Sequence, residues 1–246
     1  MGTDDIAKKR ILANRKARED RKIANRSAGN RSVIPRILIL TEGESEEIYF
    51  QELIDSMSLD TVFVRKSTHT DSVGIINDAI KSAKSEAKNG NEYTYIFCIF
   101  DLDTVKNKSF LDLISRYRSK TTEIFPIYSF PCIEVFFCLH FEICTRPFHT
   151  IRKKKSIGDS VKEYFQQNFD NEYSETNRES IKNLIPQYRN AIYNSQKLIE
   201  HQISVNSINP ISTVHKLLIL LESIYKRKGH YIFEREDIES FIESNI

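Results

Sequence analysis

The chain has 246 residues, with 36 Lys and Arg against 34 Asp and Glu (formal net charge +2), and is 40% hydrophobic with 7 Gly, 4 Cys and no Trp. That length suits one large domain or a medium domain with a smaller companion, and a glycine content of about 3%, against an average near 7%, excludes glycine repeats and long Gly-rich linkers. No apolar run approaches the roughly 18 residues that span a bilayer, and the opening MGTDDIAKKR lacks the apolar core of a secretory signal.

The near-neutral total hides an uneven distribution. Residues 1–36 hold 11 Lys and Arg against 4 Asp and Glu, a net of +7, so the remaining 210 residues carry a net of −5. Residues 4–24 lack Gly and Pro, and Ile6, Ile11, Leu12 and Ile23 are too sparse to make a buried face. Residues 1–34 read as a solvated basic helix or arm that could steer phosphate backbones, or serve as a solubilising or partner-docking tail.

A βα rhythm follows. Ile37–Leu40 is a short continuous apolar run, as a strand buried on both faces requires. Glu46–Met57 has helical spacing, and Thr61–Val64 reads as a second strand. Asp71 or Ser72 caps a predicted helix over Val73–Ala87 that Asn89-Gly90-Asn91 stops. Tyr93–Phe100 is the strongest strand signal, rich in aromatic and β-branched residues, and it ends in Asp101-Leu102-Asp103. Phe110–Tyr117 is predicted helical and Glu123–Tyr128 a fourth strand, with Pro131 in the first turn of a helix over Ile133–His140. After about residue 150 come the basic run Arg152-Lys153-Lys154-Lys155 and four predicted helices, Val161–Asn168, Glu179–His201 (with Pro186 starting or kinking it), Ser212–Tyr225 and Arg235–Ser244. The expected organisation is a basic arm over 1–34, an α/β domain over 35–150 and a helical region over 151–246. Strands alternating with helices predict a mostly parallel sheet with helices on both faces.

Ligand sites in such sheets lie beyond the carboxyl ends of the strands. Glu42 follows the first strand, and Asp101 and Asp103 follow the third. Phosphoryl transfer assisted by metal ions needs carboxylates converging on hard cations. A lone Asp-x-Asp is weak evidence, because acids at strand ends often serve turns and caps. Glu-Gly after one buried strand joined with Asp-x-Asp after another is far more specific.

The segments ILILTEGESEEIYF, YIFCIFDLDTV and YSFPCIEVFFCLHFE, with NPISTVHKLL at 209–218, resemble the RloB family of Toprim-like proteins. The resemblance covers roughly residues 33–225 and implies a βα sandwich around a mostly parallel sheet. It implies that Asp101 and Asp103 hold Mg²⁺ or Mn²⁺ and that Glu42 binds metal or moves a proton. The family's Ser-Asn-Pro-Cys-Phe-Glu block falls on Ser129-Phe130-Pro131-Cys132-Ile133-Glu134, which makes Glu134 a further candidate acid. Phe130 departs from the Asn usual there and leaves the three principal acids intact.

The resemblance also implies a role as effector of a bacterial anti-phage or abortive-infection system beside an ABC-type ATPase, cutting RNA (tRNA included) or DNA in the cytoplasm. Arg152, Lys153, Lys154, Lys155 and His69 are the candidate backbone-holding residues, and a homo-oligomer is compatible with the sequence. The competing expectation is a non-catalytic subunit that binds nucleic acid or the ATPase. A phosphotransfer or primase-like role ranks last, since no Gly-rich nucleotide loop is evident.

Other residues have plainer readings. Glu44, Glu46 and Glu47 suit the first turn of a helix, where acids favour the dipole. His140 reads as a core histidine. His215 and Lys216 either line the site or build the fold. Cys98, Cys132, Cys138 and Cys144 form no Cys-x-x-Cys pair and read as buried free thiols.

Overall fold

The computed structural model describes residues 34–105, 108–150, 156–229, 231–233 and 237–245. The basic arm up to residue 33 and Arg152, Lys153, Lys154 and Lys155 lie outside them. Five strands, β1 Ile37–Thr41, β2 Val62–Lys66, β3 Tyr95–Asp101, β4 Glu123–Phe130 and β5 Ile211–Ser212, form a sheet in the order β2-β1-β3-β4-β5. The first four run parallel, and β5 pairs antiparallel with β4. The helices are α1 Glu44–Met57, α2 Ser72–Lys88, α3 Ser109–Arg116, α4 Glu134–Cys138, α5 Ile157–Asn168, α6 Arg178–Lys182, α7 Tyr188–Ser204, α8 Val214–Tyr225 and α9 Asp237–Asn245. The structure is thus the α/β class expected, a mostly parallel sheet flanked by helices.

The continuous apolar strands follow from coverage on both faces. Successive strand side chains point to opposite sides. Ile37 and Ile39, Phe97 and Ile99, and Phe125 and Ile127 therefore enter one layer with α1 residues Tyr49, Phe50 and Leu53 and with α4 to α8. Leu38 and Leu40, Ile96 and Cys98, and Ile124 and Tyr128 enter the other with Ile75, Ile76 and Ala79 of α2 and Phe110 of α3. A polar residue at any of these strand positions would have no solvated side to face. The four cysteines are free and buried. Burial pushes the thiols of Cys98, Cys132 and Cys138 up, so none is poised as a thiolate. No helix among the described residues is long and apolar enough to cross a membrane.

His140 is a satisfied core histidine. Its Nδ1 lies 3.1 Å from the Phe136 carbonyl, which can only accept, so Nδ1 carries the proton. Nε2 then accepts from the Tyr49 hydroxyl at 3.0 Å. Burial holds the ring's pKa down at about 4 and keeps it neutral.

Three local expectations differ from what folds. Pro131 follows a cis peptide bond after Phe130 and precedes α4 rather than opening it. The helix expected over Glu179–His201 is broken into α6, a 3-10 turn at Ile185–Gln187 and α7. Pro186, which has no N–H for a helical ladder, sits in that turn. Ile211–Ser212, at the head of an expected helix, instead joins the sheet beside Phe130 and Ser129. Two residues give no periodicity to read, and only the neighbouring β4 edge makes them a strand.

Asp71 is the N-cap of α2, accepting from the Gly74 N–H at 2.9 Å. Asp71→Ala is expected to cost about 1 kcal/mol, read as a lower urea midpoint at unchanged slope.

Candidate active site

The strand order sets the site. From β1 the chain moves outward to β2, then returns to place β3 on the other side of β1. The carboxyl ends of β1 and β3 therefore flank the point where the winding reverses, the place where α/β sheets bind their ligands. Glu42 follows β1 directly and Asp101 ends β3. The ladder carries Glu42 N–H to the Ile99 carbonyl at 3.1 Å, and Glu42 Oε2 accepts from the Asp101 backbone N–H at 3.2 Å. Asp103 lies in the 3-10 turn Leu102–Thr104, its N–H directed to the Pro131 carbonyl at 3.4 Å. That contact ties the Asp-x-Asp turn to the segment leading into α4, whose first residue is Glu134.

The acids are graded in depth. Asp103 is exposed, Glu42 and Asp101 are half-buried, Glu134 is 1% exposed and Glu46 3% exposed. Asp101 is the hub. Burial, and then the charges of Glu46, Glu134, Glu42 and Asp103, push its carboxyl well above the usual range. Glu42 is pushed up to about 7, chiefly by burial and then by Glu46, Asp103 and Asp71, against the lowering effect of the Asp101 N–H. Glu46 is pushed up to about 7 by burial and by Glu134. Asp103 is raised by burial, an effect that Lys162 and the Gly158 N–H partly offset.

Glu134 is held on one side only. Its Oε1 accepts from the Tyr173 hydroxyl at 2.8 Å, while its buried Oε2 has no hydrogen-bond partner. Burial raises its pKa, and Lys162 on α5 works against that. Burial alone would depress the Lys162 ammonium, yet Glu134 and its ion-pair partner Glu175 hold it above its ordinary range. Tyr173→Phe would remove the hydroxyl donor to Glu134 Oε1 from a fully buried carboxyl. The expected cost is about 1–3 kcal/mol in chemical denaturation.

Sequence reasoning missed three members of this neighbourhood. Glu46 looked like a helix-dipole acid, but it shares a face with Tyr49, Phe50 and Leu53, all buried. Its place on that apolar stripe, at i, i+3, i+4 and i+7, was the available signal. The Glu46 carboxyl folds back over Gly43, where a built Cβ would stand 2.5 Å from Oε2, so a side chain at 43 would displace that carboxyl. Lys162 and Tyr173 come from 60 and more residues beyond Asp101, and no local pattern marks them. Conversely, Glu44 is exposed, and Glu47 accepts from the Lys66 N–H at 3.1 Å. His69 is exposed at the same end of the sheet, with Nε2 3.9 Å from Asp78 Oδ1 of α2. His215 and Lys216 lie on the first turn of α8.

The donor set is all oxygen, the chemistry preferred by Mg²⁺ and Mn²⁺. A cation beside Asp101 would relieve the mutual repulsion of the five carboxyls, and Glu134 Oε2 is a buried acceptor in need of a partner. Among the described residues, no three His, Cys, Asp or Glu side chains stand close enough together to hold a metal ion as they lie. The fit therefore lies in chemistry and position, with side-chain rotation needed to chelate. Glu42, Asp101 and Asp103 are the residues that would hold the ion.

Neither the curated proteins nor the solved structures include a match to this chain. The family model described as RloB-like protein matches residues 37–221, from the start of β1 into α8, and takes in all five acids. The chain belongs to the RloB-like protein family.

Proposed function

We propose that the protein is a Mg²⁺- or Mn²⁺-dependent nuclease that cleaves phosphodiester bonds of RNA, tRNA included, or of DNA. The observation that carries this reading is the gathering of Glu42, Asp101, Asp103 and Glu134 around the carboxyl ends of β1 and β3, with Asp101 feeling the charge of every other acid. A bound divalent cation would stabilise charge on the phosphoryl oxygens and acidify a coordinated water.

The residues divide the remaining work. Asp103 is exposed and so is the acid most open to a substrate phosphate, while Asp101 is half-buried among the other acids. Glu42 Oε2 is committed to the Asp101 N–H, so a proton carried by this carboxyl sits on Oε1. Burial raises the Glu42 carboxyl, so in this reading Glu42 either holds the metal or gives and takes a proton. Tyr173 holds Glu134 by its hydroxyl, and the nearby Lys162 charge favours the ionised carboxyl.

The same proposal includes action in the cytoplasm as the effector of a bacterial anti-phage or abortive-infection system, with an ABC-type ATPase as partner. Its support is the family resemblance. A second reading, a binding subunit that does not cut, is favoured by the lack, among the described residues, of three such side chains close enough to hold a metal ion as they lie.

One assay separates the two. Total tRNA, single-stranded DNA and duplex DNA are each incubated with Mg²⁺, Mn²⁺ or EDTA, with and without the ATPase. Cutting of one substrate that EDTA stops is the expected result. Intact substrates under every condition, together with retention of nucleic acid by the protein, would replace the nuclease by the binding subunit.

A further inference from the structure

A groove at the outer edge of the sheet is basic where the candidate active site is acidic. It has a volume of about 310 Å³ and lies between β2 and α2. β2 is an edge strand of the sheet. Arg65 and Lys66 border the groove from β2, and Lys81 borders it from α2. All three are exposed, and no ion pair among the described residues uses any of them. Arg65 donates to the Ser82 hydroxyl at 2.7 Å, a neutral acceptor that orients the guanidinium without cancelling its charge. The two acids of the lining are already engaged. Glu86 pairs with Arg36 at 3.1 Å, and Asp78 accepts from the hydroxyls of Ser67 and Thr68 at 2.7 and 3.1 Å. The groove therefore carries a surplus of positive charge, which suits a ligand with several negative charges.

The groove runs into the candidate active site. In the ladder Lys66 stands beside Thr41, the residue before Glu42, at one strand spacing of about 4.8 Å. The Lys66 N–H donates to Glu47, and Asp71, the cap of α2, lies near enough to act on the Glu42 carboxyl. At the far end Tyr93 borders the groove and meets Phe63 of β2 at 6.3 Å between ring centroids. Phe63 shares a strand face with Arg65, two residues on. Arg36 lies over the Phe63 ring at 4.8 Å and still leaves the residue 40% exposed. An open aromatic ring, a row of cations and a set of acids thus follow one another along one edge of the sheet. Such an edge could instead take up a strand from a second copy. Arg65 and Lys66 oppose that, because pairing β2 with β2 would bring like charges together.

We propose that the groove between β2 and α2 is the track along which an unpaired stretch of nucleic acid reaches the acids, with phosphates on Arg65, Lys66 and Lys81 and a base stacked on Phe63. The proposal rests on the nuclease reading for what stands at the end of the track, and it names the substrate as single-stranded. Cations that follow the backbone beside an aromatic platform are how unpaired strands are held, whereas a duplex keeps its bases stacked on one another.

The test is fluorescence anisotropy of the full chain with labelled oligo-uridylate, labelled oligo-thymidylate and the duplex of oligo-thymidylate with oligo-adenylate, all in EDTA so that nothing is cut. The wild type is expected to hold at least one single strand more tightly than the duplex. Arg65→Gln combined with Lys81→Gln should weaken that binding about tenfold and lower the slope of log affinity against log salt by about 1.4, two phosphate contacts at about 0.7 each. Phe63→Ala should weaken the single strand about tenfold and leave the duplex unchanged. Arg118→Gln combined with Lys120→Gln removes the same charge from the exposed loop before β4 and should leave affinity as it was. In cleavage with Mg²⁺ or Mn²⁺ the groove double variant should raise KM about tenfold at unchanged kcat. Unchanged affinity and salt slope in the groove double variant, an equal loss in the loop variant, or no retention of any nucleic acid by the wild type would overturn the track. Equal affinity for single strand and duplex would overturn the unpaired occupant, and tighter retention of polyglutamate than of either strand would replace it by an acidic protein partner. Single-strand binding lost in the groove variant, with no cutting by the wild type under any metal or with the ATPase, would keep the track and remove the nuclease. Cutting that EDTA stops and that the groove variant leaves unaltered would do the reverse.

Discussion

Asp101→Asn is expected to lose metal-dependent cleavage by about a thousandfold or more while folding at least as stably as the wild type. Loss of one metal-holding carboxylate removes several kcal/mol of transition-state stabilisation, and about 4 kcal/mol is three decades in rate. The stability side follows from the surroundings. Asp101 is surrounded by Glu46, Glu134, Glu42 and Asp103, and its carboxyl is raised well above the ordinary range. A neutral amide of the same shape removes that repulsion and leaves the Asp101 N–H on Glu42 in place. Activity is read as initial cleavage rate, and stability as the thermal midpoint of the metal-free protein. A variant that cuts at the wild-type rate would remove Asp101 from the chemistry. A variant that unfolds at lower temperature would show that the metal-free cluster is held together rather than strained. Mg²⁺ should also stabilise the wild type more at pH 8 than at pH 5.5, because its ligands must be deprotonated.

Glu46→Gln should become more stable than the wild type as pH rises from 5 to 8, by on the order of 3 kcal/mol at the upper end. The Glu46 carboxyl is raised from 4.5 to about 7 in the folded protein. Between these values the folded chain holds a proton that the unfolded chain has released, so wild-type stability falls as pH rises through that window. Below about pH 4.5 the carboxyl is protonated in both states and the two proteins should agree. Above about pH 7 the gap stops growing. A shift of 2.5 pH units corresponds to roughly 3 kcal/mol. His140 and His215 are both held down at about 4 and act in the opposite sense, losing stability as pH falls. They are common to both proteins and cancel in the difference. Gln at this position can still accept from the Ser45 hydroxyl, now 3.0 Å from Glu46 Oε2. Urea titrations at a series of pH values check the trend, and a difference that does not vary with pH would place Glu46 outside the coupled cluster.

The parts of the fold legible from sequence were those whose local pattern repeats their tertiary role. Ile37–Leu40 and the run ending at Phe100 read as strands because both faces are covered and every position is apolar. α2 was legible from the Asp71 cap and the stripe of Ile75, Ile76 and Ala79. Glu179–His201 misled because its periodicity continues across Pro186, while the backbone turns there. β5 is a strand solely because β4 offers it an edge.

The sequence by itself determined the alternation of strand and helix, the two-sided burial of β1, β3 and β4, and the positions of Glu42, Asp101 and Asp103 just past strand ends. Those properties depend on residues within a few positions of one another. The strand order that puts β1 beside β3, the inward turn of Glu46, and the arrival of Glu134, Tyr173 and Lys162 behind Asp101 were decided by the tertiary structure. Each depends on chain segments distant in sequence competing for the same buried space. The raised carboxyls follow from that competition, because an acid's pKa reports the charges and solvent around it, and these are set by how the chain packs.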